Sequence, residues 1–219
     1  MTEFIFMETY NDMTRADAIP IYKEIRKTKV KCIGFKDIGL PITKLKELHA
    51  MMKKDGRTTF LEVVSASEKD TVQSTKVALE LGVDYLIGGT YIDATLPLIK
   101  NTTIKYFPYV GKIIDHPCKL RGSIDEIVND TKKVKAKGIP GINLLAYRYN
   151  GDVDQLIEKV SAIGLPMIVA GSIDNYGRVS KMREMDIWAF TIGGAIFDKK
   201  FVGNGSLADN INAVLKEIE

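Results

Sequence analysis

Two charged residues stand where a folded chain usually places apolar ones. Glu62 interrupts the run "TFLEVVS", and Lys36 closes the run "KCIGFK". A lone buried charge is costly unless it is paired, and strands that follow one another in sequence are commonly neighbours, which makes Lys36 the natural partner of Glu62. Such a pair suits proton transfer next to a carbonyl: one group takes the proton, and the other stabilises or protonates the enolate oxygen. A salt bridge that only closes a core is the equal alternative. Lys36 and Lys112 also offer amines for Schiff-base chemistry. Arg148, in "AYRYN", has the fork that recognises a carboxylate or phosphate.

Glycine pairs are the second signal. "YLIGGTYID" carries Gly88 and Gly89, and "FTIGGAIFD" carries Gly193 and Gly194. Paired glycines weaken a strand and mark close approach of another backbone or a ligand. Without a Cβ, the main chain can bring its N–H groups against an oxyanion.

The elements that must position these groups follow from the order of apolar runs. Strand-like segments are expected near residues 3–9, 30–36, 59–65, 84–90, 104–110, 141–147, 166–171 and 188–193. Most are continuous rather than alternating, as in parallel strands covered on both faces. Helical patterns connect them, and Gly56, Gly82, Gly138 and Gly164 fall where left-handed C-caps belong. Ser123 opens a capping box with Glu126. Together these predict one (β/α)8 TIM barrel, a single domain over residues 1–219, with a stunted helix at "DATLPLIKN". Inside it, Cys32, Gly34 and Lys36 share the inward parity, as do Phe60 and Glu62.

The stretch from Thr59 to Asp93 shares an order of features with that from Pro166 to Asp198: a strand ending in serine (Ser65, Ser172), a helix, an acidic residue (Asp84, Asp186) and a strand ending Ile-Gly-Gly. About half the chain separates the two, which fits a half-barrel repeat. Loops after the seventh and eighth strands of many barrels bind phosphate through backbone amides. The repeat then predicts a second anion site at Ser65, Gly88 and Gly89.

"VAGSIDNYGRVSKMREMDIWAFTIGGAIFD" resembles the closing two βα units of the ribulose-phosphate-binding barrels, which include histidine-biosynthesis isomerase and cyclase barrels and sugar-phosphate epimerases. The resemblance covers about the last quarter of the chain. It implies that Gly171, Ser172, Gly193 and Gly194 hold a substrate phosphate. The chain departs from the histidine enzymes at their catalytic strand ends. Its first strand ends "METYND", and its fifth, "PYVGKII", has no aspartate at the tip.

Composition excludes other classes. The net charge of +3 is small and dispersed, so no nucleic-acid surface is expected. No apolar run is long enough to cross a bilayer, and the N-terminus lacks a basic n-region, so no membrane partner is expected. Cys32 and Cys118 read as free thiols of a reducing cytoplasm. His49 and His116, the only histidines, have no carboxylate or thiol at ligand spacing, so neither metal nor cofactor is expected. His116, in "IIDHPCKLRG", lies on a long loop: a lid, or simply a solvated residue. The expected partner is a phosphorylated small molecule; nothing fixes the oligomeric state, and a homo-oligomer stays open. Three functions fit: an isomerase or epimerase on a phosphorylated sugar or related metabolite, a lysine-dependent aldolase or lyase, or a non-catalytic phosphate-ligand binder.

Overall fold

The apolar runs pair side by side in parallel register in the computed structural model, which describes residues 2–64 and 67–219. The strands are β1 (Glu3–Met7), β2 (Cys32–Lys36), β3 (Thr58–Val63), β4 (Tyr85–Gly88), β5 (Lys105–Phe107), β6 (Ile142–Leu144), β7 (Met167–Val169) and β8 (Ala189–Ile192). Their order is β6-β7-β8-β1-β2-β3-β4-β5. A parallel bridge between Tyr109 and Asn143, with the Asn143 N–H donating to the Pro108 carbonyl at 2.8 Å, joins β5 to β6 and closes the cylinder. The chain is a (β/α)8 TIM barrel.

Helices α1 (Ala18–Ile25), α2 (Ile42–Lys54), α3 (Glu68–Leu81), α4 (Ile92–Ile99), α5 (Ile124–Ala136), α6 (Val153–Ser161), α7 (Tyr176–Glu184), α8 (Gly194–Phe197) and α9 (Leu207–Ile218) surround the strands. α4 is short and contains Pro97, as its sequence foretells. The Ser123–Glu126 capping box starts α5, and Gly82 ends α3 in the left-handed conformation.

Alternation along the strands sorts the core into two parts. Ile5, Met7, Cys32, Phe60, Ile87 and Phe107 fill the barrel interior, whereas Phe6, Ile33, Phe35, Leu61 and Val63 pack towards the helices. At the N-terminal end Phe60 stacks on Tyr85 with centroids 4.5 Å apart, and Phe107 meets Trp188 at 4.9 Å. These rings form a floor, so the barrel opens only at the C-terminal strand ends. Gly34 serves the same filling: a Cβ there would sit 2.3 Å from the Met7 sulfur.

Asp84 ties β3 and β4 to α2. Its carboxylate accepts from the Thr59 N–H at 2.8 Å, the Thr59 hydroxyl at 2.9 Å and the Lys53 ammonium at 2.8 Å. Burial pushes this carboxyl up, but the Lys53 and Thr59 hydrogen bonds outweigh it and hold it below its ordinary value. A depressed folded-state pKa contributes stability above the unfolded value and loses it as pH falls through the folded one. Asp84→Asn is therefore expected to destabilise the fold by about 1 kcal/mol at neutral pH. The gap to wild type should close below the ordinary aspartate value of 3.8, as read by denaturant unfolding across pH.

Candidate active site

Two short hairpins rise from the open end of the barrel. The first pairs Thr9–Tyr10 with Met13–Thr14 directly after β1. Its turn is Asn11-Asp12, with φ of 48° and 58°, the left-handed pair that a tight two-residue hairpin loop requires and that Asn and Asp tolerate. The Thr14 hydroxyl locks the hairpin to the end of β2: it donates to the Lys36 carbonyl and accepts from the Lys36 N–H, both at 2.7 Å. The second hairpin pairs Lys112–Ile114 with Lys119–Arg121 in the long loop after β5.

The first hairpin delivers Asp12 to Lys36. The Lys36 ammonium lies 2.8 Å from Asp12 Oδ1 and 3.2 Å from Glu62 Oε2, and its side chain is only 2% exposed. Lys36 and Glu62 are register partners on β2 and β3, so their shared inward parity brings them together as the sequence predicts. Burial disfavours the Lys36 charge, but Glu62 and Asp12 more than offset it and hold the ammonium above the ordinary lysine range. Burial likewise pushes Asp12 up, and Lys36, with Arg148 and His116 behind it, brings it below the usual carboxylate range. On the far side of Glu62, the Tyr109 hydroxyl donates to Oε1 at 2.7 Å. Burial and then the Glu62 charge push that phenol well above its ordinary value, so it stays a donor. Lys36 is thus fixed by two carboxylates, and one of those is oriented by a phenol.

Beside this cluster a cavity of about 290 Å³ runs from Lys36 and Glu62 to the turns after β7 and β8. Gly171, Ser172, Gly193 and Gly194 line it together. Their N–H groups have no main-chain acceptor among the described residues. Gly171 and Ser172 take φ of 78° and 58°, and Arg178 donates to the Ser172 carbonyl, which fixes the turn. Arg148 lines the same cavity with its Nε against Gly171, where a Cβ would come within 2.5 Å. Its Nη1 lies 3.6 Å from Asp12 Oδ2, so Arg148 spans the space between the amide-lined end and the charged end.

Other predicted residues lie elsewhere. The two Ile-Gly-Gly turns do not share a backbone path: Gly88 and Gly89 have φ of 77° and 70°, whereas Gly193 has φ of −120° and Gly194 opens α8. The Gly89 N–H is taken by the Val63 carbonyl at 2.9 Å, and the Tyr109 ring lies over Gly88. The turn after β4 therefore offers no open amide cradle like that after β8, and Ser65 lies outside the described residues. Lys112 is exposed on the second hairpin. Glu8, one residue past β1, is fully buried with no partner for either oxygen among the described residues, and burial followed by Asp17 pushes its carboxyl up.

Asp12 is legible as a residue at the end of the first strand, in "METYND", but its pairing with Lys36 escaped the sequence reading, as did two other groups. Tyr109 reaches Glu62 across 47 residues with no local signature. The third is a set of metal-ligating atoms where none was expected: Asp12, His116 and Cys118 offer an oxygen, a nitrogen and a sulfur, all within 4.8 Å of one another. The carboxylate comes from the other hairpin, so no spacing in the chain could announce it.

By sequence, the chain matches no protein-family model and no curated protein. By structure it is similar to a 4-hydroxy-2-oxoglutarate and 2-dehydro-3-deoxyphosphogluconate aldolase, with a TM-score of 0.65 at 14% identity over 99% of this chain and 94% of that one. A native KDPGal structure gives a TM-score of 0.69 at 8% identity over 98% and 93%. Phosphoribosyl anthranilate isomerase, bound to a reduced deoxyribulose 5-phosphate derivative, gives 0.61 at 13% identity over 100% and 98%. In each case the likeness is one of fold, a TIM barrel matched over nearly the whole of both chains.

Removing the cation tests the cluster. Lys36→Met leaves Asp12 and Glu62, about 10% and 9% exposed, without the charge that neutralises them. It is expected to cost about 3–5 kcal/mol of unfolding free energy at neutral pH, measured by chemical denaturation. The double variant Lys36→Met/Glu62→Leu should recover part of that loss.

Proposed function

We propose that the chain is an enzyme acting on a phosphorylated sugar or related small metabolite, as an isomerase or epimerase that moves a proton next to a carbonyl. The observation that carries this reading is the buried ammonium of Lys36, held between Asp12 and Glu62 at one end of a cavity whose other end is lined by unbonded amides. A volume of about 290 Å³ is at the small end for small-molecule sites and suits a metabolite of this size.

In this reading the phosphate sits on the amides of Gly171, Ser172, Gly193 and Gly194, with Arg148 alongside. The carbonyl end then reaches β2 and β3. Glu62 takes the proton from the adjacent carbon, and the electrons move into the carbonyl oxygen. The Lys36 ammonium faces the developing enolate charge and can return a proton to it. Asp12 keeps Lys36 charged and aimed, and Tyr109 fixes the Glu62 carboxylate. Such preorganised charge is worth most in a site closed to water.

The aldolase likeness favours a second reading, in which a lysine amine forms a Schiff base. That chemistry needs a neutral amine free to attack, and Lys36 is held by two carboxylates. β6 itself, Ile142–Leu144, carries no lysine. The proton-transfer reading is therefore preferred.

Incubation of phosphorylated aldoses and ketoses with the protein in D2O tests it, with deuterium at carbon read by mass spectrometry. Wild type is expected to wash deuterium into the position beside the carbonyl of one such compound. Glu62→Gln should slow this by about 10²–10⁴-fold while still binding the compound. Ligand retention without exchange would favour the binder, and borohydride trapping on Lys36 would favour the lyase. Gly194→Asp places a carboxylate where the phosphate belongs and should abolish binding of the compound while thermal unfolding is unchanged. Normal binding by that variant would put the phosphate elsewhere.

A further inference from the structure

Asp12 divides its two oxygens between different surroundings. Oδ1 accepts from Lys36 at 2.8 Å, but Oδ2 is buried and has no hydrogen-bond partner among the described residues. Arg148 Nη1 lies 3.6 Å from it, beyond hydrogen-bond reach, and the same Nη1 donates to the Cys118 carbonyl at 3.2 Å. The second hairpin bends over this point. Its loop brings the exposed imidazole of His116 and the buried thiol of Cys118, two residues further on, to the same place. One oxygen, one nitrogen and one sulfur, each from a single side chain, then lie within 4.8 Å of one another.

We propose that Asp12, His116 and Cys118 form a binding site for a borderline divalent transition-metal ion of the zinc type at the rim of the cavity. The donor set argues for this class: thiolate with imidazole and carboxylate favours zinc or cobalt over calcium or magnesium, which take oxygen ligands. Ligands at about 2.0–2.3 Å from a tetrahedral zinc lie roughly 3.3–3.8 Å from each other. The three atoms need to close by at most about 1–1.5 Å, and side-chain rotation in the hairpin loop, where His116 is exposed, can bring them together.

Charge allows it as well. The Cys118 sulfur bonds the ion as its proton leaves to solvent, and the thiolate, Asp12 and Glu62 then stand against Lys36, Arg148 and the ion with one positive charge in excess, beside a cavity proposed to take an anion. Lys36 keeps Glu62 and Asp12 Oδ1. Arg148 is left to face the cavity. Three protein ligands leave a fourth position for water or a substrate oxygen. The ion would pin the hairpin after β5 to the hairpin after β1, and so hold Asp12 over Lys36 whether or not a substrate is present.

Cobalt reports this site directly. The untagged full-length protein, stripped by chelator and titrated with Co²⁺ under reducing conditions, is expected to bind one equivalent. The complex should show a sulfur-to-cobalt charge-transfer band and the intense visible absorption of a four-coordinate ion, both lost when one equivalent of Zn²⁺ is added. Cys118→Ser should abolish the charge-transfer band, and His116→Ala should weaken binding by at least about 10²-fold. Cys32→Ala, which removes the thiol inside the barrel, should leave band and affinity intact. Far-UV circular dichroism of each variant checks that it is folded. Absence of the band from wild type at stoichiometric Co²⁺, its persistence in Cys118→Ser, or its loss from a folded Cys32→Ala protein would overturn the site.

Discussion

A single buried ammonium organises the open end of this barrel. Taking the Lys36 charge out of water costs several kcal/mol, so it persists only where carboxylates meet it with good geometry. Glu62 comes with the strand register, but a second carboxylate cannot come from β1, whose last residues, Phe6 and Met7, are apolar. The chain solves this with a hairpin. Asn11 and Asp12 accept left-handed backbone, Thr14 clamps the hairpin to β2, and Asp12 swings over the barrel mouth. Once these are in place, two carboxylates and the two cations Lys36 and Arg148 balance, and an anionic ligand would add its charge to a neutral cluster beside open amides.

The rest of the fold directs that cluster to one exit. The aromatic floor of Phe60, Tyr85, Phe107 and Trp188 closes the opposite end, so water and ligands meet the barrel interior only from above. Between floor and cluster the packing is set by size matching. Gly34 makes room for Met7, and Gly141 makes room for the Phe107 ring, which a Cβ would otherwise approach to 2.0 Å. The charged layer therefore rests on close-packed side chains that resist displacement. Such a base keeps Lys36, Asp12 and Glu62 within reach of one another.

What the sequence revealed divides along the range of the interaction. Strand parity is a local property of period two, so the inward direction of Lys36 and Glu62 and the barrel itself could be read directly. The turns after β7 and β8 were legible because glycine and serine there serve the backbone of their own loop. Tyr109 and Cys118 could not be read, since each acquires its meaning from a partner far along the chain. Asp12 lies between these cases. Its Asn-Asp turn is a hairpin signal, but only the fold shows what stands beneath it.

The two Ile-Gly-Gly turns show why likeness of letters stops short of likeness of site. Glycine permits many backbone paths, so a shared pair of glycines constrains conformation less than any other shared dipeptide would. After β8, Gly193 lies outside the left-handed region and Gly194 begins a helix, and both residues line the cavity. After β4, both glycines are left-handed and the Gly89 N–H turns back onto β3. What differs is the company: Tyr109 fills the space over Gly88 while it orients Glu62. A ligand over Gly88 would have to displace the phenol that fixes Glu62. On the proposed reading, Tyr109 thus keeps a second anion away from the Gly88 side of the mouth while it holds Glu62 in place.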